Sequence, residues 1–310
     1  MRVLLLKIII ILSACLVSCL LLFVIPIKDS QNYLMANRDK LHVLSATISP
    51  KVVLVGGSNL AFGIDSELIS KSLGMPVVNM GLHAGLGISF MINQVKRHLK
   101  TGDVVVLVPE YSAYIRPEGS NTLIELLDLD KVSIKDIDLS IIKTVTHYFP
   151  AYAQTKLLKL FRSGDLNDIR TSGIYFRSGF NESGDVIEHL RDDKQHLAAD
   201  ISKLNGTDYS LSVPETVIIE DFHKWCHIRG IELLISFPAY PETHFKEVEK
   251  FAEKILVSLM KKGVKVISYP EEYKLDNSRF YDTLYHLNQI GRYERTVKLI
   301  EDIQGYGNFR

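Results

Sequence analysis

Cysteine is scarce in this chain. Of the three among 310 residues, Cys15 and Cys19 fall in one apolar run and Cys226 stands alone in the remainder, which excludes a disulfide inside the folded part. An excess of either charge is also missing. Thirty-six basic side chains balance 36 acidic ones, so electrostatics gives no reason to expect nucleic acid or a strongly anionic surface as partner. No internal repeat or low-complexity run is present. Candidate metal ligands cluster only in His223-Lys-Trp-Cys226-His227, and without a second cluster a helix face accounts for them better than a tetrahedral site does. Neither a structural metal nor a cofactor is expected. The glycines Gly81, Gly85 and Gly87 do not have dinucleotide-loop spacing and follow the wrong strand.

Apolar sequence is plentiful, at 46%, enough for a substantial core in one large domain or two small ones. Its longest piece is residues 8 to 27, an uncharged run preceded by Arg2 and Lys7. A helix of ~20 residues at ~1.5 Å per residue matches a ~30 Å hydrocarbon core, so the run reads as a transmembrane anchor. Residues 1–7 then lie in the cytoplasm, and everything after residue 27 lies outside by the positive-inside tendency. No Ala-x-Ala-like cleavage site ends the run. Cys15 and Cys19 resemble lipoprotein cysteines but sit inside it, so an uncleaved anchor fits better than lipidation. Residues 28–48 read as a stem.

From residue 49 to 310 the pattern alternates. Buried-strand runs at residues 51–55, 76–80, 103–108, 231–236 and 264–268 are separated by amphipathic spacing at 65–73, 88–99, 215–229 and 245–262, with a closing helix at 289–303. This is the signature of an α/β fold, a three-layer doubly wound parallel sheet with ligands at the carboxyl ends of its strands. Residues 111–214 interrupt it as a long insertion after the third strand, read as a lid or substrate wall. Within it Gly179 to Ile187 reads as a hairpin turning on Asn, Ser and Gly.

Three segments carry the chemistry. Gly56-Gly57-Ser58-Asn59 follows the first strand, and a small-residue turn there exposes a hydroxyl nucleophile, Ser58, and its amide. Asn79-Met-Gly81 follows the second and offers an amide to an oxyanion. Near the C-terminus, Asp282-Thr-Leu-Tyr-His286-Leu-Asn288-Gln-Ile-Gly291 sets a carboxylate beside an imidazole just before a helix, equipment for an acid/base pair in which Asp282 fixes the tautomer of His286. Ser58 or Asn59 could equally cap the turn.

In this order the segments resemble the SGNH (GDSL-like) hydrolase superfamily, over about residues 49 to 305 without the insertion. Gly57-Ser58-Asn59 is similar to its first block, Gly81 to its second-block glycine, and Asp282 with His286 to its last. The Asp-x-x-x-His-Leu-Asn-x-x-Gly form, with an anchor, resembles the bacterial envelope branch associated with alginate and teichoic-acid modification. Two departures stand out: Asp282 and His286 are separated by three residues instead of two, and Val108-Pro109-Glu110-Tyr111 replaces the block that normally supplies an oxyanion Asn.

The resemblance implies a Ser58 acyl-enzyme, catalytic Ser58, His286 and Asp282, and an oxyanion hole from the amides of Ser58 and Gly81. Asn59, Glu110, Tyr111 and Tyr285 are candidates for substrate binding. The expected activity is O-acetyl transfer to a cell-envelope polysaccharide or glycolipid, supplied by a multi-span membrane acyltransferase. A carbohydrate esterase of the same fold and a catalytically silent glycan-binding or scaffold protein are the alternatives.

Overall fold

A computed structural model of the chain describes residues 2–25, 29–139, 141–161, 173–191, 209 and 211–307. The five expected strands form β1 (Val52–Gly56), β2 (Val77–Asn79), β3 (Val104–Val108), β4 (Glu232–Ile235) and β6 (Lys265–Val266) of one sheet, all parallel, in the order β2-β1-β3-β4-β6. A short parallel pair, β5 (Tyr240–Pro241) and β7 (Lys274–Leu275), stands apart from it. Alternation sorts each strand's side chains onto two faces. Val53, Val55, Val105, Leu107, Leu233 and Ile235 enter one core with α5 (Ile88–Lys96), α8 (Val217–Ile228) and α9 (Glu242–Lys261). On the other face Val52, Leu54, Val104, Val106 and Leu234 meet α4 (Ser66–Leu73) and α10 (Gln289–Tyr306). Burial on both faces is why the strands read as unbroken apolar runs.

The chain leaves β1 for β2 on one side and returns to β3 on the other. The strand order therefore reverses beside β1, and the crevice between the carboxyl ends of β1 and β3 is where such sheets bind ligands.

Residues 29–48, the described part of the expected stem, pack onto the domain. Tyr33, Leu34, Ala36 and Leu44, around α2 (Ala36–Ala46), join the core, and the Tyr33 hydroxyl donates to Leu82 O at 2.8 Å. The expected hairpin is present. Phe180 pairs antiparallel with Val186, and the turn passes through Gly184 at φ +91°, where a Cβ would also strike Asn79 O at 2.3 Å. Lys40 of α2 ties that turn to β2: its buried ammonium donates to Asn79 O at 2.9 Å and to Gly184 O, and lies 4.6 Å from the Phe180 ring. Burial lowers its pKa to about 7.

A lysine whose folded pKa lies below its unfolded value (~10.4) destabilises the fold once it is charged. Stability in the wild type is therefore expected to fall as pH drops from about 10 to 7. In Lys40→Met that part of the slope is expected to disappear, as measured by urea unfolding at several pH values. Identical slopes in the two proteins would refute it.

The N-terminal expectation fares differently. Among the described residues no helix is long and apolar enough to cross a membrane, so the anchor over residues 8–27 is not supported by the fold. Helix α1 runs Arg2–Val24 and stops ahead of Pro26, whose ring disfavours helical backbone in the residue before it. Its uncharged part, residues 8–24, extends about 25 Å at ~1.5 Å per residue, short of a ~30 Å core. The helix end touches the insertion, where Phe23 stacks on Phe149 of α7 (Ile141–Phe161) with ring centroids 5.5 Å apart.

Candidate active site

Strand register brings the first two groups together. Gly56 of β1 lies opposite Val108 of β3, so Ser58 and Glu110, each two residues farther on, emerge side by side at the crevice. The Ser58 hydroxyl donates to Glu110 Oε1 at 3.0 Å, and the Asn59 amide donates to the same oxygen at 3.1 Å. Both preceding glycines are required by this approach. A Cβ on Gly56 would stand 2.5 Å from Val108 O, and one on Gly57 would stand 2.5 Å from Glu110 Oε1. The Glu110 carboxylate, part of the segment that departs from the expected oxyanion block, therefore reaches Ser58 from β3 because residue 57 has no side chain.

The second half comes from the loop before α10. Thr283 Oγ1 accepts from the amides of Tyr285 and His286 at 3.2 and 3.1 Å, a side-chain-closed turn of the kind Thr forms readily. This turn takes up the extra residue between Asp282 and His286. Asp282 Oδ1 then lies 2.8 Å from His286 Nδ1, a direct contact despite the longer spacing. The residues after His286 explain themselves structurally. Leu287 is buried, Asn288 caps α10 by accepting from the Gly291 amide at 3.1 Å, and a Cβ on Gly291 would fall 2.4 Å from Arg279 O.

The imidazole of His286 is 5% exposed and lies flat on Phe62, with centroids 4.0 Å apart at 10°. Burial raises the Asp282 carboxyl's pKa, but hydrogen bonds from His286 and Tyr175 and the imidazole's charge outweigh it and hold the group below its ordinary value. An ionised Asp282 accepting from Nδ1–H assigns the imidazole lone pair to Nε2, the atom a general base needs.

Ser58, Glu110 and His286 line one cleft of about 340 Å³ with Tyr33, His83, Ala84, Tyr175, Thr283 and Tyr285. The expected Ser58, His286, Glu110 and Tyr285 thus share it, with Asp282 directly behind His286. Three other expectations need correction. The Gly81 amide donates to Asn79 Oδ1 at 2.8 Å and the residue is buried, so it is not free to meet an oxyanion. Asn59 spends its side chain on backbone, accepting from Gly57 N and donating to Val108 O, both at 3.1 Å, so it staples β1 to β3 and does not bind substrate. Tyr111 is fully buried against Phe237 and Tyr240, because the residue after Glu110 turns into the core.

Tyr175, from the insertion, was not anticipated. Its hydroxyl donates to Asp282 Oδ2 and lies 3.2 Å from His286 Nδ1, while loss of solvent and the Asp282 bond push its phenol well above its ordinary pKa, so it remains a donor. Nothing local in the sequence marks it, since 107 residues separate it from Asp282. Removing this bond in Tyr175→Phe is expected to lower kcat/KM for an acetyl ester about tenfold, in line with a hydrogen bond to a charged group. Unchanged kcat/KM in the folded variant would mean that Tyr175 only packs.

Known protein families and curated proteins give no counterpart: no family model matches the chain, and neither does any curated protein.

Proposed function

We propose that the cleft performs serine-dependent acyl-ester chemistry, and the observation that carries this reading is Ser58 sharing one cleft with an Asp282-oriented His286. Ser58 turns its hydroxyl from Glu110 to His286, which takes the proton as Oγ bonds to the ester carbonyl. The amide of Ser58, at the start of the short helix α3 (Ser58–Ala61), and the amide of Ala84 in the cleft wall receive the oxyanion. Collapse expels the alcohol, protonated by the imidazolium, and leaves an acyl-Ser58. A second hydroxyl then gives its proton to His286, takes the acyl group and returns Ser58.

Resemblance to the envelope branch favours a sugar hydroxyl over water as acceptor, hence O-acetyl transfer to a cell-envelope polysaccharide or glycolipid. A multi-span membrane acyltransferase is the implied acyl donor. Membrane attachment rests on the uncharged residues 8–27, and a helix a few ångströms short of the core is accommodated by local thinning of the bilayer. Glu110 supports a second reading, a silent glycan-binding protein, because an ionised carboxylate on Ser58 opposes an oxyanion nearby.

A serine-directed fluorophosphonate applied to the full chain separates the two. Labelling of Ser58, lost in His286→Ala, is the expected result; an unlabelled but folded protein sinks the enzymatic reading. Release of acetate from a model acetyl ester with and without oligosaccharide then distinguishes hydrolysis from transfer.

A further inference from the structure

The charges lining the cleft are one-sided. Glu110 is its carboxylate and is 5% exposed. Only Oε1 is occupied by Ser58 and Asn59, and Oε2 carries no hydrogen bond among the described residues. Asp282 adds a second negative charge behind His286. His83 does not offset them: its Nδ1 accepts from the Gly85 amide at 2.9 Å, which requires a lone pair there and a neutral ring. No Lys or Arg lines the cleft among the described residues.

The remaining walls are aromatic, from Tyr33, Tyr175 and Tyr285. The Tyr33 and Tyr175 hydroxyls are turned to Leu82 O and Asp282, and the buried Tyr285 hydroxyl has no partner among the described residues. A carboxylate ringed by tyrosines attracts a cation twice, through Coulomb attraction and through the negative ring faces, and repels an anion.

We infer that the cleft binds an ester carrying an ammonium group and rejects one carrying a carboxylate or phosphate beside the reacting carbonyl. This deepens the acyl-ester reading and rests on it for the word ester, but not for the charge preference. A second hollow of about 110 Å³ shares Ala84 and includes Arg116, so the rejection is confined to the cleft and does not extend along a whole polymer.

The test uses the full chain with Ser58→Ala, which removes turnover, and titrates in choline, its uncharged isostere 3,3-dimethylbutanol, and 3-hydroxypropanoate by calorimetry. Choline is expected to bind at least about tenfold tighter than the isostere, a difference of ~1.4 kcal/mol. The anion is expected to bind most weakly. Added salt shrinks the choline advantage. Glu110→Gln abolishes it, since the amide oxygen can still accept from Asn59 while the charge is gone. Equal affinities for choline and its isostere, no measurable binding of either, or preference for the anion overturns the inference. If Glu110→Gln fails to fold, the isostere comparison and the salt dependence decide alone. Fluorophosphonate labelling of the wild type keeps the two claims apart. Labelled Ser58 without a choline preference sinks only the charge inference, and a choline preference without labelling sinks only the chemistry.

Discussion

Replacing Asp282 with Asn is expected to lower acetyl-ester turnover about 10⁴-fold, the scale at which a triad Asp→Asn change acts through the wrong imidazole tautomer. The geometry makes the full effect hard to escape. The Tyr175 hydroxyl donates to one carboxylate oxygen while His286 Nδ1 faces the other. In the variant the phenol still needs an acceptor, so the amide oxygen turns to Tyr175 and the NH₂ group faces Nδ1. That donor fixes the imidazole proton on Nε2, where it cannot accept the proton of Ser58. Steady-state kinetics on a model acetyl ester, with the unfolding midpoint as a control, measures the change. A loss below tenfold in a folded variant would show that Asp282 does not orient the base.

The largest effect on stability is expected at Asp185, which does not line the cleft. This carboxylate is fully buried in the hairpin. It accepts from the Ser66 amide and the Asn79 side chain, both at 2.9 Å, and from the Ser66 hydroxyl, and it pairs with Arg292 at 3.2 Å. One side chain thus joins the insertion to the start of α4, the end of β2 and the first turns of α10. Removing one partner of a buried ion pair costs about 3–5 kcal/mol because the other charge stays desolvated.

Arg292 retains Asp65 at 3.3 Å and Ile64 O at 2.7 Å, so Asp185→Ala is expected near the lower bound, about 3 kcal/mol. Urea unfolding should show a lower midpoint at unchanged slope. A loss under about 1 kcal/mol, the range of ordinary substitutions, would mean that the hairpin is held by other contacts. Because Tyr175 precedes this hairpin, a milder Asp185→Asn should also weaken the Asp282 contact.

Much of this architecture was legible because its signals are local. Runs such as Val104–Val108 are apolar at every position because both sheet faces are covered, and Asp65, just ahead of α4, caps it by accepting from the Leu68 amide at 3.1 Å. The C-terminal motif was equally readable as a carboxylate beside an imidazole just before a helix: Asp282 Oδ1 lies 2.8 Å from His286 Nδ1, and α10 starts at Gln289. The misreadings share a cause. Gly81, Asn59 and Tyr111 stand at strand ends, where a motif gives a residue's position but not which neighbour claims its amide, carboxamide or ring.

By itself, then, the sequence determined the parallel α/β core and the pairing of Asp282 with His286, since each depends on periodicity or on residues a few positions apart. Tertiary structure alone decided that Glu110 sits on the Ser58 hydroxyl, that Tyr175 from the insertion reaches Asp282, and that tyrosines and a carboxylate line the cleft without a described cation. These contacts join residues 52 and 107 positions apart. Strand register and docking of the insertion set them, and neither leaves a pattern in the residues on either side.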